Sequence, residues 1–321
     1  LKFFGKISKT RNNVYCECCN SINHDFVSEK RGWKILHCRN CGLFFVNPQP
    51  PDDYLAKIYS KSSGYFATAY TDLSKTSPSG AEYLHKLLLA HDMRVGRFLD
   101  VGCSTGRLMY HLKNLGWDVA GIDIDADAVK VALKNDLNVT VGRLEKSGYH
   151  DETFDVIHMG DVIEHVRSPR QMLLTSNKLL RQGGILIINT PNASCGFAVS
   201  SMFLSKIVKF PWPHSEAPYH LYEFSPQTLN TFLISTGFEV ISLSCSGSRS
   251  FMYTVGGTGF FDELKVSMKR SGAYKINLKF IANIPKLIAI SSLLLPFYLY
   301  GRISDSIRKI GPKIFLIAQK I

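Results

Sequence analysis

The sequence predicts an α/β fold, a doubly wound, mostly parallel seven-stranded sheet with a small cysteine-rich module in front of it. Three observations carry this expectation. From residue 97 onward, short apolar runs alternate with helical patterns. The first run, Phe98-Leu-Asp-Val-Gly102, breaks at glycine, and Arg107-Leu-Met-Tyr-His-Leu-Lys113 then starts a helix. Two C-x-x-C pairs, Cys16-Glu-Cys-Cys19 and Cys38-Arg-Asn-Cys41, fall within the first 51 residues.

The cysteine pairs come first in the chain. Two such pairs on a small hairpin supply the four soft ligands of tetrahedral Zn(II), assigned to Cys16, Cys19, Cys38 and Cys41, and define a zinc ribbon over 1–51. Cys18 stands inside the first pair, and using it as a ligand would change the loop spacing. Two disulfides or four free thiols are the alternatives. Cys103, Cys195 and Cys245 lack evident partners, which favours a reducing compartment and a metal. A segment this short builds little core unaided, so the metal's part is structural.

A helical linker or lid follows over 52–95, with a helical segment at 54–59, a Ser/Thr/Gly-rich loop at 60–80 and a helix at 81–91. Strands are expected near 97–102, 118–123, 138–142, 155–160, 184–190, 238–246 and 314–320, with helices between the first five. In such a sheet the ligand lies at the carboxyl ends of the central strands.

The turn after Asp100 is no dinucleotide fingerprint, because a G-x-G-x-x-G from Gly102 would need glycines where Ser104 and Arg107 stand. Gly102 and Gly106 let backbone approach a ligand closely. The next strand, Asp118-Val-Ala-Gly-Ile-Asp123, ends in a carboxylate that can accept from both hydroxyls of a ribose. Together these describe a pocket for a nucleoside without a phosphate chain.

At these residues the chain resembles the class I S-adenosylmethionine-dependent methyltransferases. Phe154-Asp-Val-Ile-His-Met-Gly-Asp-Val-Ile-Glu-His165, Leu179-Leu-Arg-Gln-Gly-Gly-Ile-Leu-Ile-Ile-Asn-Thr-Pro-Asn192, His220-Leu-Tyr-Glu-Phe-Ser-Pro226 and Thr236-Gly-Phe238 follow in the family's order over roughly half the chain. The resemblance implies a Rossmann-like methyltransferase domain over 96–321 whose last strand inserts antiparallel beside the fifth. It implies that Asp100, Gly102 and Gly106 surround the methionine part of S-adenosylmethionine, that Asp123 holds the ribose and that Ile124 lies against adenine. Backbone at Met159 and Gly160 closes the methionine end, and Leu144 flanks adenine; Arg143 departs from the acidic residue many relatives carry there. Cys41-Gly-Leu-Phe-Phe-Val-Asn-Pro-Gln-Pro-Pro51 resembles the zinc-ribbon leader of bacterial methyltransferases associated with surface-polysaccharide and modified-sugar biosynthesis.

On a helix starting after Gly160, Asp161, Glu164 and His165 would share one face, and His220 could complete a Mg(II) or Mn(II) site. That constellation resembles the metal-assisted branch containing the ubiquinone-biosynthesis O-methyltransferases and small-RNA 3′-end methyltransferases. The metal-free reading is preferred, with His165, His220 and Glu223 as base candidates in falling order. An acceptor-loop insertion is expected at 191–230, where Trp212, His220 and Tyr222 suit a carbohydrate or planar ring; Trp212 reads almost equally well as packing.

A net charge of +12 is high, and much of it lies toward the two ends of the 321 residues. This suits an anionic neighbour such as a lipid surface, a phosphorylated carrier or RNA, or reflects only solvated lysines. Residues 1–13 lack the apolar core of a secretory signal, so a cytoplasmic setting is expected, peripheral to the inner face of the membrane. Within a helical insertion at 255–312, Ile284-Pro-Lys-Leu-Ile-Ala-Ile-Ser-Ser-Leu-Leu-Leu-Pro-Phe-Tyr-Leu-Tyr300 is short for a span, carries Lys286 and is broken by Pro296, so an internal or interfacial helix is expected. The leading expectation is O-methylation of a sugar or carrier-linked glycan precursor. An RNA methyltransferase with the ribbon as substrate reader is the rival, disfavoured because Asn189-Thr-Pro-Asn192 is not the Asn-Pro-Pro-Tyr type and the ribbon lacks a dense basic-aromatic surface. A cofactor-binding scaffold without an acceptor is the non-enzymatic reading.

Overall fold

The computed structural model describes residues 15–51, 54, 55, 59, 72–209, 211–247 and 278–321, with side chains left aside at 208 and 278–291. Most of the expected 54–59 helix and 60–80 loop, part of the 255–312 insertion and the N-terminal residues 1–13 lie outside these.

The N-terminal module is a meander of β1 (His24–Lys30), β2 (Trp33–Cys38) and β3 (Phe44–Val46). Both faces of β2 are covered: Trp33 and Ile35 are buried on one side, Leu36 and Cys38 on the other, while Lys34 is exposed. Beyond it, α1 (Ser79–Ala90) buries Ala81, Leu84 and Leu88 along one stripe. Then come β4 (Arg97–Val101), α2 (Arg107–Asn114), β5 (Asp118–Asp123), α3 (Ala126–Leu133), β6 (Asn138–Val141) and β7 (Phe154–Gly160). The chain continues with α4 (Pro169–Leu179), β8 (Leu180–Pro191), α5 (Gly196–Val208), the two-residue β9 (Tyr222–Glu223), α6 (Pro226–Ile234), β10 (Phe238–Ser246), α7 (Leu278–Arg308) and β11 (Lys313–Lys320).

Seven strands form the main sheet in the order β10-β11-β8-β7-β4-β5-β6. Strands β4 to β8 are parallel, and β11 inserts antiparallel between β8 and β10. All seven strands stand where the sequence predicts them, and the last is antiparallel beside the fifth. The fold is the expected Rossmann-like one. Because side chains alternate across a strand, Phe98, Val156 and Ile187 pack under α1, α2 and α3, while Leu99, Ile157 and Ile188 pack on the side of α4 and α6. Helix starts follow their local chemistry: the Asp125 carboxylate caps α3, and Ser225 and Thr228 form a reciprocal capping pair at α6.

Three features differ from expectation. Between β6 and β7, where a helix is expected, stands only the three-residue 3-10 turn Leu144–Lys146. Residues 161–168 are turns rather than a helix, with Asp161 at φ +53°. And α7 runs 31 residues, straight through Pro285 and Pro296. Proline removes a donor and crowds the preceding turn, but a long helix absorbs it as a kink without ending.

The ribbon is not a separate bead on the chain. Strand β9 adds to its edge, pairing Phe44 with Glu223 and Phe45 with Tyr222, so the ribbon sheet has the order β1-β2-β3-β9. Its inner face is continuous with the main core through Leu36, Leu43 and Phe45 against Tyr222, Phe224 and Phe232.

Candidate functional site

The candidate nucleoside pocket lies at the carboxyl ends of β4 and β5. Gly102 sits at φ +72°, and a Cβ there would lie 2.4 Å from Val162 Cγ2, so a side chain would meet both strain and a clash. Gly106 opens α2 from the left-handed region at φ +78°. The chain thereby turns back on itself within five residues and exposes backbone at the sheet edge.

Asp123 organises this turn as well as facing it. One carboxylate oxygen accepts from Ser104 N at 2.7 Å and the other from Asp125 N at 2.8 Å. Each oxygen keeps a lone pair, which is what two ribose hydroxyls require. Burial raises the Asp123 carboxyl above its ordinary range, and the two N–H donors pull the other way. Asp123→Ala should therefore weaken S-adenosylmethionine binding by roughly 100-fold, since hydrogen bonds to a charged group contribute about 1.5–3 kcal/mol each. Calorimetry would measure it, and unchanged affinity would remove the pocket assignment.

Asp100 is 5% exposed and bonds His158 Nδ1 at 2.8 Å from one oxygen. His158 was not among the candidate residues, although the parallel register sets it directly opposite Asp100. Its position two residues before Gly160 was the available signal. Ile124 is half exposed beside Asp123, as a ring-stacking residue must be, whereas Leu144 and Met159 point into the core. What those two positions offer a ligand is backbone.

The second half gathers ionisable side chains at the end of β7. The 161–168 turns and the 219–223 segment are zipped together, Glu164 O accepting from Leu221 N at 2.8 Å and from Tyr222 N at 3.2 Å. This sets the His165 and His220 rings edge to face at 4.8 Å and brings donor atoms of Glu164, His165 and His220 within 4.8 Å of one another. His165 Nδ1 donates to Tyr219 O at 2.8 Å, which fixes the tautomer and leaves Nε2 with its lone pair. Tyr59 Oη lies 3.1 Å from the same nitrogen and donates to Tyr219 O. Burial and the neighbouring His220 push the His165 pKa down to about 3, so the ring is neutral. Burial raises Glu164 to about 7, with Thr190 Oγ1 donating to it at 3.0 Å.

Glu223 is the counter-charge of this cluster. Its Oε1 accepts from Glu216 N at 3.0 Å, and its Oε2 lies 3.5 Å from His220 Nδ1 and 3.6 Å from His214 Nε2. Although burial opposes it, the two imidazoles hold the Glu223 carboxyl at about 2. Burial works against protonation of His220, yet Glu223 raises its pKa overall. A buried ion pair of this kind is retained only where every partner is placed. His214, fully buried, is a member of the cluster not identified from sequence; it lies within the 191–230 insertion expected to cover the acceptor.

Three expectations are corrected here. Trp212 does not face an acceptor: it is 0% exposed, donates from Nε1 to Ala198 O at 2.9 Å and packs on Phe44. Tyr222 is buried too, its hydroxyl donating to Arg167 O at 2.8 Å and accepting from Gln49 Nε2 at 2.8 Å. Asp161 stands apart from the Glu164 group because the turn at φ +53° sends its carboxylate to Lys313 Nζ at 3.0 Å. Without Asp161 the remaining donors are two imidazoles and one carboxylate, a poor match for Mg(II), which prefers oxygen ligands in an octahedron.

The four cysteine sulfurs do fit a metal. Cys16, Cys19, Cys38 and Cys41 offer atoms within 4.8 Å of one another, with Cys16–Cys41 and Cys19–Cys38 at 3.5 Å. A Zn(II)–sulfur tetrahedron needs sulfurs about 3.8 Å apart. Cys18 is buried with its thiol toward Thr228 O at 4.0 Å, outside the quartet.

A family model described as a methyltransferase domain matches residues 76–243. Among curated proteins, the ubiquinone biosynthesis O-methyltransferase of Glaesserella parasuis is 34% identical over 107 residues, which is 30% of this chain and 45% of that one. The enzyme of the same name from Hydrogenovibrio crunogenus is 24% identical over 161 residues, 48% of this chain and 64% of that one. The chain spans less than two thirds of the length of these relatives. Among solved structures, the [4+2]-cyclase SpnF shares the fold at a TM-score of 0.53 and 16% identity, over 85% of this chain and 98% of that one.

Proposed function

Because the chain belongs to the methyltransferase-domain family matched over residues 76–243, we propose that this S-adenosylmethionine-dependent methyltransferase methylates a hydroxyl of a sugar or carrier-linked glycan precursor in cell-surface polysaccharide biosynthesis. The observation that carries the hydroxyl assignment is the buried His165, Glu164, His220 and Glu223 cluster at the end of β7. When bound, S-adenosylmethionine supplies an activated methyl carbon, open to in-line attack. What remains for the protein is alignment, exclusion of water and a place for the acceptor proton.

His165 Nε2 takes that proton. The ring is neutral and its tautomer fixed by Tyr219 O, and because burial makes it a weak base it takes the proton only with ionised Glu164 beside it. As the imidazolium forms, Glu164 Oε1, 3.9 Å from Nε2, stabilises it once ionised. His220 and Glu223 form a fixed ion pair beside it and orient the ring through the edge-to-face contact. An aliphatic hydroxyl, too weak an acid to ionise alone near neutrality, needs such a base more than a phenol of pKa about 10 does. The ribbon leader, with its resemblance to sugar-associated enzymes, supports the same reading.

The curated relatives named ubiquinone biosynthesis O-methyltransferase favour a second reading, a phenolic quinone precursor as acceptor. RNA is less favoured, because the ribbon edge is spent on β9 and its first knuckle is bound by Arg170. We assign Zn(II) a structural part at Cys16, Cys19, Cys38 and Cys41, and a thiolate-held metal suits a reducing, cytoplasmic setting.

The test is transfer of labelled methyl into separated acceptor fractions: nucleotide-linked and lipid-linked sugars, phenolic quinone precursors and RNA. Label in the sugar fractions is the expected result. Label in the phenols alone would replace it with the second reading, and label in RNA would overturn both.

A further inference from the structure

Helix α5 lies in the segment between β8 and β9, and α7 precedes the last strand; they pack antiparallel as one hairpin-like pair. Their closest approach is glycine on glycine: a Cβ on Gly196 would stand 2.6 Å from Gly301 O. Ser200 Oγ donates to Phe297 O at 3.2 Å, and the Asp305 carboxylate accepts from Gly196 N at 2.6 Å. Among the described residues, α7 finds its extensive helix contact with α5 alone.

Outside that contact both helices show apolar residues to solvent. On α5, Val199, Phe203 and Ile207 recur at every fourth position and are 45%, 63% and 63% exposed. On α7, Leu299, Ile303 and Ile307 do the same at 50%, 62% and 76%, with Tyr300 beside them. Rows at i, i+4 form a continuous ridge on a helix. Large apolar side chains gathered in this way mark an interaction surface, unlike the scattered ones normal on any protein.

The charge around the ridges says what covers them. Lys206, Arg302 and Arg308, all exposed, lie on these helices, and Asp305 is the only carboxylate in their sequences. Asp305 is spent on Gly196 N and Arg308. A second copy of the chain would bring this cationic face against itself, since a two-fold interface pairs a patch with its own image. An anionic lipid surface complements both the ridges and the charge. Among the described residues no helix is long and apolar enough to cross a membrane, so the contact is with the surface.

We propose that the exposed face of α5 and α7 is a docking surface for an anionic bilayer, bringing the segment between β8 and β9 to the lipid. Apolar side chains from the two ridges enter the headgroup region, and the flanking cations meet lipid phosphates.

The experiment is flotation of the full chain with vesicles of phosphatidylcholine, with and without phosphatidylglycerol. Bound protein should rise at least about tenfold with the anionic lipid and fall as salt is added. The double variant Phe203→Glu with Ile303→Glu should lose about tenfold of that binding while its S-adenosylmethionine affinity stays at the parent value. Indifference to phosphatidylglycerol, or a double variant that floats as the parent does, overturns the proposal. So does a dimer in solution that the double variant splits, because the face would then belong to a second copy. No acceptor enters the assay, so its failure is separate from that of the sugar reading.

Discussion

The double variant Cys38→Ser with Cys41→Ser is expected to lose methyl transfer while keeping most of its S-adenosylmethionine affinity. Two of the four sulfurs go, and with them the metal site; a structural Zn(II) supplies on the order of 10 kcal/mol in small zinc peptides. The damage spreads along named contacts. Val46 N donates to Leu221 O at 2.8 Å, β3 pairs with β9, and Gln49 holds the Tyr222 hydroxyl, so the ribbon fastens the strand that carries Glu223. Lys30 Nζ donates to Ser215 O, and Arg31 donates to Ala217 O at 3.3 Å and lies over the Tyr219 ring at 5.2 Å. Arg170, at the start of α4, donates to Cys18 O at 2.6 Å and Glu17 O at 3.2 Å. Loosening the ribbon therefore frees His214, His220 and Glu223 together, and a misplacement of about 1 Å in a catalytic group costs roughly 100-fold in rate. The Asp100 and Asp123 side of the site makes its bonds within the main sheet and its loops. Zinc content, S-adenosylmethionine affinity and transfer rate, measured on one preparation, separate the two halves. Equal loss of affinity and rate would show that the ribbon supports the whole fold and not the acceptor half in particular; a parent protein without zinc would remove the metal assignment.

Substituting His165→Ala is expected to lower kcat by about 10²–10⁴, the usual contribution of a placed general base, with S-adenosylmethionine affinity unchanged. The pH profile distinguishes a base from a packing residue. His165 itself, held near 3, does not titrate in the working range, whereas Glu164 at about 7 does. Ionised Glu164 stabilises the imidazolium, so the parent rate should rise with pH through about 7 and then level. Glu164→Gln should abolish that limb and leave a low, flat rate. If Glu164→Gln keeps the limb, the Glu164 part of the mechanism is wrong; if His165→Ala retains the parent kcat, the base lies elsewhere.

Local sequence was a good guide wherever the chemistry is contiguous. Asp100, Gly102, Gly106 and Asp123 lie in two strand-turn units whose geometry depends on neighbours in the chain, so apolar runs and glycine positions locate the strand ends and the turn. The strand positions were legible for the same reason, buried parallel strands being short apolar runs between turn residues. The four cysteines could be paired by spacing alone, and Cys18 rightly stood apart.

Where the sequence misled, a long-range contact had overridden a local pattern. Asp161, Glu164 and His165 have helical spacing, but backbone bonds from Leu221 and Tyr222 to Glu164 O pull the chain into turns. Trp212 sits among prolines in a loop and looks like a binding aromatic, yet α5 and β3 close over it. Pro296 reads as a break in a helix that runs through it. His158, although inside the 154–165 run, and His214 carry no local sign of their partners; each matters because a carboxylate, Asp100 or Glu223, comes from another part of the chain.

The sequence by itself determined the sheet, the glycine turn after β4, the cysteine quartet and the methyltransferase-domain family, because each is written in residues close together or in a regular period. Only the tertiary structure decided that the ribbon and the strand carrying Glu223 share one sheet, that the Glu164 cluster lacks Asp161, and that α5 joins α7 in a single basic, apolar face. Those depend on pairs of atoms far apart in sequence, such as Phe45 with Tyr222 and Gly196 with Gly301, whose meeting is set by the summed packing of the whole chain and by no local preference.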